Sequence, residues 1–296
     1  MTGGAAPAPN PPPDPQTFLS AESGTVAGPR LALTTRLEDA AIGAARALAL
    51  TGPRLDRAAR AQPPLGVLVL SIYRQGSRLP GALDRLRSDR HEVRFVLGAT
   101  GTVEQALAEH TVADDMRGGK FENLNRLLAC APPVRDRDWL MVVDDDIDLP
   151  PRFLDRMLAL CERLSLDLAQ PAQTMGSHAA WRVTRRRPWS LARRTQYVEI
   201  GPLTVFRRQV AEQLTPFPEL RFGWGLDNHW GALARERGWR LGIVDALPVR
   251  HSHRRVASAY AHSEAVEEAR RFLAGRAYLS ADEAQRTLAT VRRLPS

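Results

Sequence analysis

Between residues 65 and 164 the chain alternates short, unbroken apolar runs with segments that carry apolar residues at helical spacing. Few architectures accept that pattern. "LGVLVLSIY" (65–73), "HEVRFVLGATG" (91–101) and "WLMVV" (139–143) read as strands. "LPGALDRLRS" (79–88), "GKFENLNRLLACA" (119–131) and "PPRFLDRMLALCERL" (150–164) read as helices. The last opens on tandem prolines, which suit a first turn where the N–H needs no intrahelical partner. Strands without polar alternation are covered on both faces, and helical crossovers between parallel strands supply that cover. The pattern therefore predicts an α/β domain with a mostly parallel central sheet and helices on both faces. Ligands in such sheets lie beyond the carboxyl ends of the strands.

The flanks have another texture. Residues 1–25 are rich in Pro, Ala and Gly without periodicity and are expected to be a disordered tail. Residues 26–62 carry Ala, Leu and Arg at helical spacing, interrupted at Gly52-Pro53, and read as a helical extension. The α/β domain then spans 63–257, and 258–296 reads as a helical segment with a Ser280-Ala-Asp-Glu283 cap. That segment is suited to covering a cleft, dimerising or lying on an anionic membrane, and its spacing does not separate these. With 296 residues, 44% of them hydrophobic, the chain can bury one sizeable core with appendages.

Cys130 and Cys161 sit in helix-like patterns with no C-x-x-C or Cys/His cluster, so a reducing compartment is expected. No apolar run nears the ~20 residues needed to span a bilayer, and the first residues lack signal-peptide regions. We expect a cytoplasmic protein, with contact to the inner face of the membrane left open. Net charge is +8, and of 41 basic residues only Lys120 is a lysine. So uniform a skew reflects base composition more than chemistry, and no nucleic-acid partner is expected. One locally basic stretch, "WRVTRRRPWSLARR" (181–194), carries two tryptophans. A solvated loop, an anionic acceptor, a lipid headgroup surface and a nucleotide phosphate all fit it.

The end of the third strand poses the chemical question. Asp144, Asp145, Asp146 and Asp148 follow "WLMVV" directly. Clustered carboxylates repel unless a cation or donor-rich loop compensates them. Mn²⁺ or Mg²⁺, hard ions that complete their shells with substrate phosphates, suit such a site. Asp148, just before Pro150 and Pro151, also fits a helix-capping role; the Asp144-x-Asp146 pair fits it badly.

An apolar strand ending in D-x-D, then Pro and a helix, resembles the metal motif of the nucleotide-sugar glycosyltransferases with the GT-A fold. "GGKFENLNRLL" upstream is similar to their G-K-x-x-x-L-N helix start. "FGWGLDNHWGALARERGWRLGIVDALPVRHSHR" (222–254) is similar to their acceptor-side segment, a W-G-x-D helix start followed by a strand and a histidine. Together these cover roughly 65–255. The resemblance implies a GT-A domain with helical N- and C-terminal appendages. It also implies a metal-dependent transfer from a nucleoside-diphosphate sugar to a hydroxyl acceptor, whether saccharide, lipid or small molecule.

The resemblance implies roles as well. Asp144, Asp146 and His251 would hold Mn²⁺ or Mg²⁺, with His253 the nearest competitor of His251. Asp227, at a helix start after two glycines, would be the base of an inverting transfer. It is equally placed to cap that helix, and Asn228 stands where the family commonly has a second acidic residue. Ser71, Tyr73 and Arg74 end the first strand, where base and ribose contacts are expected, and Asp144 and Asp145 also border the donor. Lys120 and Arg254 would neutralise phosphate, Asn125 lies one helical turn beyond Lys120, and Trp224 offers a flat face to a sugar. A nucleotidyl or phosphoryl transferase would need the same carboxylate-bound ion. A non-catalytic carbohydrate-binding relative is the remaining alternative.

Overall fold

The computed structural model describes residues 12–20, 29–251 and 261–294. Three helices precede the sheet: α1 (Pro15–Phe18), α2 (Pro29–Leu48) and α3 (Thr51–Arg60). The first half of the domain is β1 (Gly66–Tyr73), α4 (Leu79–Leu86), β2 (Glu92–Ala99), β3 (Thr111–Ala113), α5 (Lys120–Cys130), β4 (Trp139–Val143) and α6 (Phe153–Arg163). The second is β5 (Leu168–Gln173), β6 (Ala192–Thr195), β7 (Leu203–Arg207), α7 (Arg208–Leu214), α8 (Leu226–Arg237) and β8 (Leu241–Val249). The chain ends with α9 (His262–Leu273), α10 (Ala281–Ala284) and β9 (Thr287–Val291).

Among the described residues the nine strands form one sheet in the order β3-β2-β1-β4-β7-β5-β8-β6-β9. Their pairings leave only β6 and β7 running against the rest, so the sheet is mostly parallel as expected. The reversal of β7 matters most. It pairs with β4 from Trp139↔Arg207 to Val143↔Leu203, so the residues entering β7 lie beside those leaving β4.

Alternate residues of the strands feed two apolar layers. Val67, Val69, Met141 and Val205 pack beneath α4 and α6, whose Leu83, Leu154, Met157 and Leu158 are buried there. Leu68, Leu70, Leu140, Val142 and Phe206 face the other way, against Phe121 and Leu124 of α5, Trp230 of α8 and Phe272 of α9. Each fully buried side chain of this kind contributes roughly 1.5–3 kcal/mol. α3 seats Ala58 and Ala59 against Ala159 of α6, and Arg156 grips Asp56 through two hydrogen bonds of 2.8 and 3.0 Å.

The flanks depart from the sequence expectation at two places. Residues 12–20 fall within the stretch expected to be disordered, yet Phe18 is buried and its carbonyl accepts from Asn228 Nδ2 at 3.2 Å. An isolated aromatic in a Pro-rich stretch gives no periodicity to read. The remainder of the tail, 1–11 and 21–25, and the first residues of the extension, 26–28, lie outside the described residues. The carboxyl-terminal segment is helical only in part, because "TLATV" adds β9 to the sheet edge beside β6. Two threonines and a valine suit an extended edge better than a helix.

Between β6 and β8 the sheet buries an ion pair with no solvent exposure on either side chain: Arg193 Nε and Nη2 reach Asp245 Oδ2 and Oδ1 at 2.8 and 3.0 Å. Asp245 also accepts from Arg187 N at 2.9 Å and Ser190 Oγ at 2.7 Å. Breaking a satisfied buried pair strands one charge, so Asp245→Ala should cost about 3–5 kcal/mol in denaturant unfolding. Arg193→Met/Asp245→Leu, which removes both charges, should cost less than that single change.

Candidate functional site

A cavity of about 830 Å³ opens at the carboxyl ends of β1 and β4, on the α5/α8 side of the sheet. Its floor carries Ile72, Val142 and Val143, and its walls carry Lys120, Asp144, Asp145, Asp146, Glu199, Trp224, Asp227 and His251.

Each aspartate after β4 has a partner of its own. Lys120 Nζ donates to Asp144 Oδ1 at 2.6 Å and to the Ile200 carbonyl at 2.9 Å. The lysine is there because α5 starts at it, and Glu122, one turn on, accepts from Gly119 N at 2.6 Å to fix that start. Gly201 makes the approach possible: a Cβ there would stand 2.7 Å from Asp144 Oδ2 and 3.1 Å from Lys120 Nζ. Asp145 Oδ2 accepts from Arg74 N at 3.0 Å, with Arg74 Nε 3.9 Å away. Asp146 Oδ1 lies 3.2 Å from His251 Nε2.

That last contact joins segments a hundred residues apart, and backbone bonds hold it. Asp148 and Arg250 exchange N–H···O bonds of 3.0 and 3.1 Å, which staple the turn after β4 to the end of β8. His251 N donates to Ser177 Oγ at 3.0 Å and its carbonyl accepts from His178 N at 2.8 Å. Burial alone would lower the imidazole pKa, but the hydrogen bond and charge of Asp146, with Asp144 and Glu199 behind, raise it overall.

Asp227 stands in the first turn of α8, after Gly225, whose φ of +79° is a left-handed conformation that glycine adopts without strain. Its Oδ2 accepts from the Tyr197 hydroxyl in a short hydrogen bond, and its Oδ1 from Asn228 N at 3.0 Å. Burial pushes its carboxyl up to about 6 against the opposing pull of these bonds. Glu199 is half-buried beside it and accepts from Gln173 Nε2 at 2.6 Å; desolvation and then the charge of Asp227 push it to about 8. The loop before α8 is held from outside, as Glu268 of α9 accepts from the amides of Arg221, Phe222 and Gly223 at 2.7–2.9 Å.

The sequence expectation thus divides. Lys120, Arg74, Asp144, Asp145, Asp146, Trp224, Asp227 and His251 all border one cavity. Three residues do not serve as expected. Ser71 is fully buried away from the cavity, and its hydroxyl has no hydrogen-bond partner among the described residues. Tyr73 borders the cavity, while its ring packs with the α4/α6 layer and its hydroxyl meets Thr111 Oγ1 at 2.9 Å and Glu104 N at 3.3 Å. Asn125 exchanges two 2.8 Å bonds with the backbone of Phe217. Asp144 is turned to Lys120, leaving Asp146 and His251 as the convergent donors. His253 and Arg254 lie outside the described residues. Glu199, Tyr197 and Gln173 escaped the sequence analysis; "QYVEIGP" has no catalytic spacing, and only its position ahead of β7 brings Glu199 to the cavity.

No protein-family model matches the sequence, and no curated protein is similar to it by sequence. The architecture is similar to the crystal structure of GalNAc-T7 with UDP, GalNAc and Mn²⁺, with a TM-score of 0.52, 12% identity, and coverage of 71% of this chain and 48% of that one. The fold is GT-A. S. aureus TarS, residues 1–349 in complex with UDP-GlcNAc, superposes at a TM-score of 0.48 with 16% identity, covering 72% of this chain and 65% of that one. The chain spans about half the length of the GalNAc-T7 chain. Within the GT-A cavity, the donor chemistry of Asp146 and His251 suits a divalent ion of the Mn²⁺ kind, a carboxylate oxygen beside an imidazole nitrogen. Among the described residues no three His, Cys, Asp or Glu side chains are grouped to hold a metal ion.

Both carboxyls sit above their usual values, so the stability they confer is complete below about pH 4 and is lost as pH rises through about 6 for Asp227 and about 8 for Glu199. In chelator, urea unfolding free energy should fall between pH 5 and 8, by up to roughly 1.4 kcal/mol per pH unit for each titrating group. Glu199→Gln should flatten the alkaline part of that fall.

Proposed function

We propose that the protein is a metal-dependent glycosyltransferase that moves a sugar from a nucleoside-diphosphate donor to a hydroxyl acceptor with inversion, Asp227 acting as base. One observation carries this reading: a single GT-A cavity holds the Asp146/His251 pair and a separately anchored buried carboxylate, Asp227. The crystallised GalNAc-T7 holds UDP, GalNAc and Mn²⁺, which supports the donor class.

The residues divide the work by charge. Asp146 and His251 would hold Mn²⁺ or Mg²⁺, which when bound supplies positive charge to offset that developing on the departing diphosphate. Lys120 neutralises Asp144, and Arg74 places a guanidinium beside Asp145, so the cavity can admit a polyanion despite three carboxylates. Trp224, half-buried on the wall, offers an apolar face for a sugar ring. Asp227 takes the acceptor proton. A carboxyl held near 6 is ionised at neutral pH and remains more basic than an exposed one, which suits a general base. Tyr197 and the amide of Asn228 fix its two oxygens, so proton transfer needs no side-chain search. Below about pH 8 Glu199 is protonated, and adds a hydrogen-bond donor to the cavity instead of a further negative charge.

Thermal shift with nucleoside diphosphates and their sugars, with and without Mn²⁺, identifies donor and metal together. Nucleoside diphosphate is the expected product; pyrophosphate would indicate a nucleotidyl transferase instead. Asp146→Asn and His251→Ala should abolish the metal-dependent part of the thermal shift. Asp227→Asn should keep donor binding and lower turnover at least about a hundredfold. Wild-type turnover should rise with pH through about 6, a limb that the Asp227 variant lacks. Unchanged turnover in Asp227→Asn would remove the base assignment.

A further inference from the structure

α2 is built inside out. Its contacts with the body are largely polar, beside Ile42 and small alanines: Asp39 accepts from Met175 N at 3.1 Å and Gly176 N at 3.3 Å and pairs with Arg186 at 2.9 Å. One stripe further along, Arg46 Nη2 donates to the carbonyls of Ser190 at 3.0 Å and Arg187 at 3.3 Å. Positions 39 and 46 share a face at helical spacing, and Leu33, Leu37, Ala44 and Leu48 share the opposite one. That outer face is open, with Leu33 59% exposed, Leu37 62% and Leu48 87%. The stripe runs for 15 residues, about 22 Å at the α-helical rise. A surface helix normally turns such leucines inward.

Beside its end lies a groove of about 660 Å³ lined by Arg54, Arg57, Arg163, Arg292 and Arg293, with Ala49, Thr51 and Leu191 between them and no carboxylate among the described residues. The side chains of Arg54, Arg57, Arg292 and Arg293 have no hydrogen-bond or ion-pair partner among the described residues, and the nearby Asp56 is committed to Arg152 and Arg156. Leu50, 58% exposed, sits between the two groove residues Ala49 and Thr51. Trp189, 72% exposed, lies two residues before Leu191, between the two carbonyls that hold Arg46. The other arginines of the 181–194 stretch are partly consumed indoors, Arg186 by Asp39 and Arg193 by Asp245.

We propose that the outer face of α2 and this arginine groove form a docking surface for an anionic phospholipid bilayer, with α2 lying in the interfacial plane. Leucines on one face of a helix, arginines beside them and a tryptophan at the border match the chemistry of that interface, where apolar chains insert shallowly and guanidinium groups meet lipid phosphates. A second copy of the chain fits less well, because a two-fold contact through this patch would set the unpartnered arginines against their own copies. Among the described residues no helix is long and apolar enough to cross a membrane, so α2 would lie on the bilayer and not span it. The surface is separate from the catalytic cavity, and its test does not use turnover.

The full chain is floated with vesicles of phosphatidylcholine alone or containing 30% phosphatidylglycerol, over a series of salt concentrations. Binding is expected only to the anionic vesicles and should weaken with salt. Arg54→Gln/Arg57→Gln/Arg292→Gln/Arg293→Gln should lower the partition coefficient at least about tenfold, as should Leu37→Ser/Leu48→Ser, with circular dichroism and melting temperature unchanged. Failure of the wild type to float with anionic vesicles overturns the proposal. So does a solution dimer that Leu37→Ser/Leu48→Ser dissociates, or equal retention by duplex DNA that the leucine variant does not alter.

Discussion

Like charges at the mouth of a sheet are the constraint around which this structure is arranged. Three consecutive carboxylates leave β4 into a partly enclosed cavity, and at such separations in low dielectric they would raise one another's pKa or drive the turn apart. The fold divides them. Asp144 is neutralised by the lysine that begins α5, Asp145 by an amide at the end of β1, and Asp146 by an imidazole at the end of β8. Three elements that converge only in the folded sheet each supply one partner, so the acidic turn is tolerable in this topology and would be costly in a different one. Glu199 and Asp227, elsewhere on the cavity wall, meet the same problem by another route: burial raises both carboxyls, so that Glu199 keeps its proton up to about pH 8 and Asp227 up to about 6.

Strand order does the positioning. Because β7 runs antiparallel between β4 and β5, the Ile200-Gly201-Pro202 turn arrives beside Asp144, whose amide donates to the Pro202 carbonyl at 2.8 Å. An all-parallel neighbour would enter β4's far end instead, leaving Glu199 on the wrong side of the sheet's edge and Lys120 without its second acceptor, the Ile200 carbonyl. The Asp148–Arg250 bridge then fixes how close β8 can bring His251. Geometry at the site follows from backbone pairing before any side chain is considered.

This explains what the sequence disclosed. The acidic turn after "WLMVV", the helix start at Lys120, and the run from Trp224 through Asp227 to His251 were legible because each combines a local element boundary with a chemical group. For Ser71 and Tyr73 the unread feature was parity: alternate residues of β1 face opposite layers, so Ile72 packs toward the α5 side and Tyr73 toward the α4/α6 side, although both border the cavity. An unbroken apolar strand hides that parity, since both faces are buried. Asn125 failed because its amide fits a backbone clamp as well as a ligand. Glu199 stayed hidden for the opposite reason, its role being created entirely by the reversal of β7.

The two ends of the cavity also differ in what builds them. At one end Lys120, Asp144, Asp145, Asp146 and His251 belong to the GT-A sheet and its helix starts. Around Asp227 the support comes from the chain's extremities: Asn228 Nδ2 donates to the carbonyls of Phe18 and Leu279, and Glu268 grips the loop that carries Trp224. A shared fold that covers 71% of this chain informs the first end much more than the second. Function in such folds resides in the site and not in the scaffold. If, as proposed, Asp227 is the base, an acceptor would meet surfaces contributed by residues 12–20 and 261–294, segments the fold itself does not dictate.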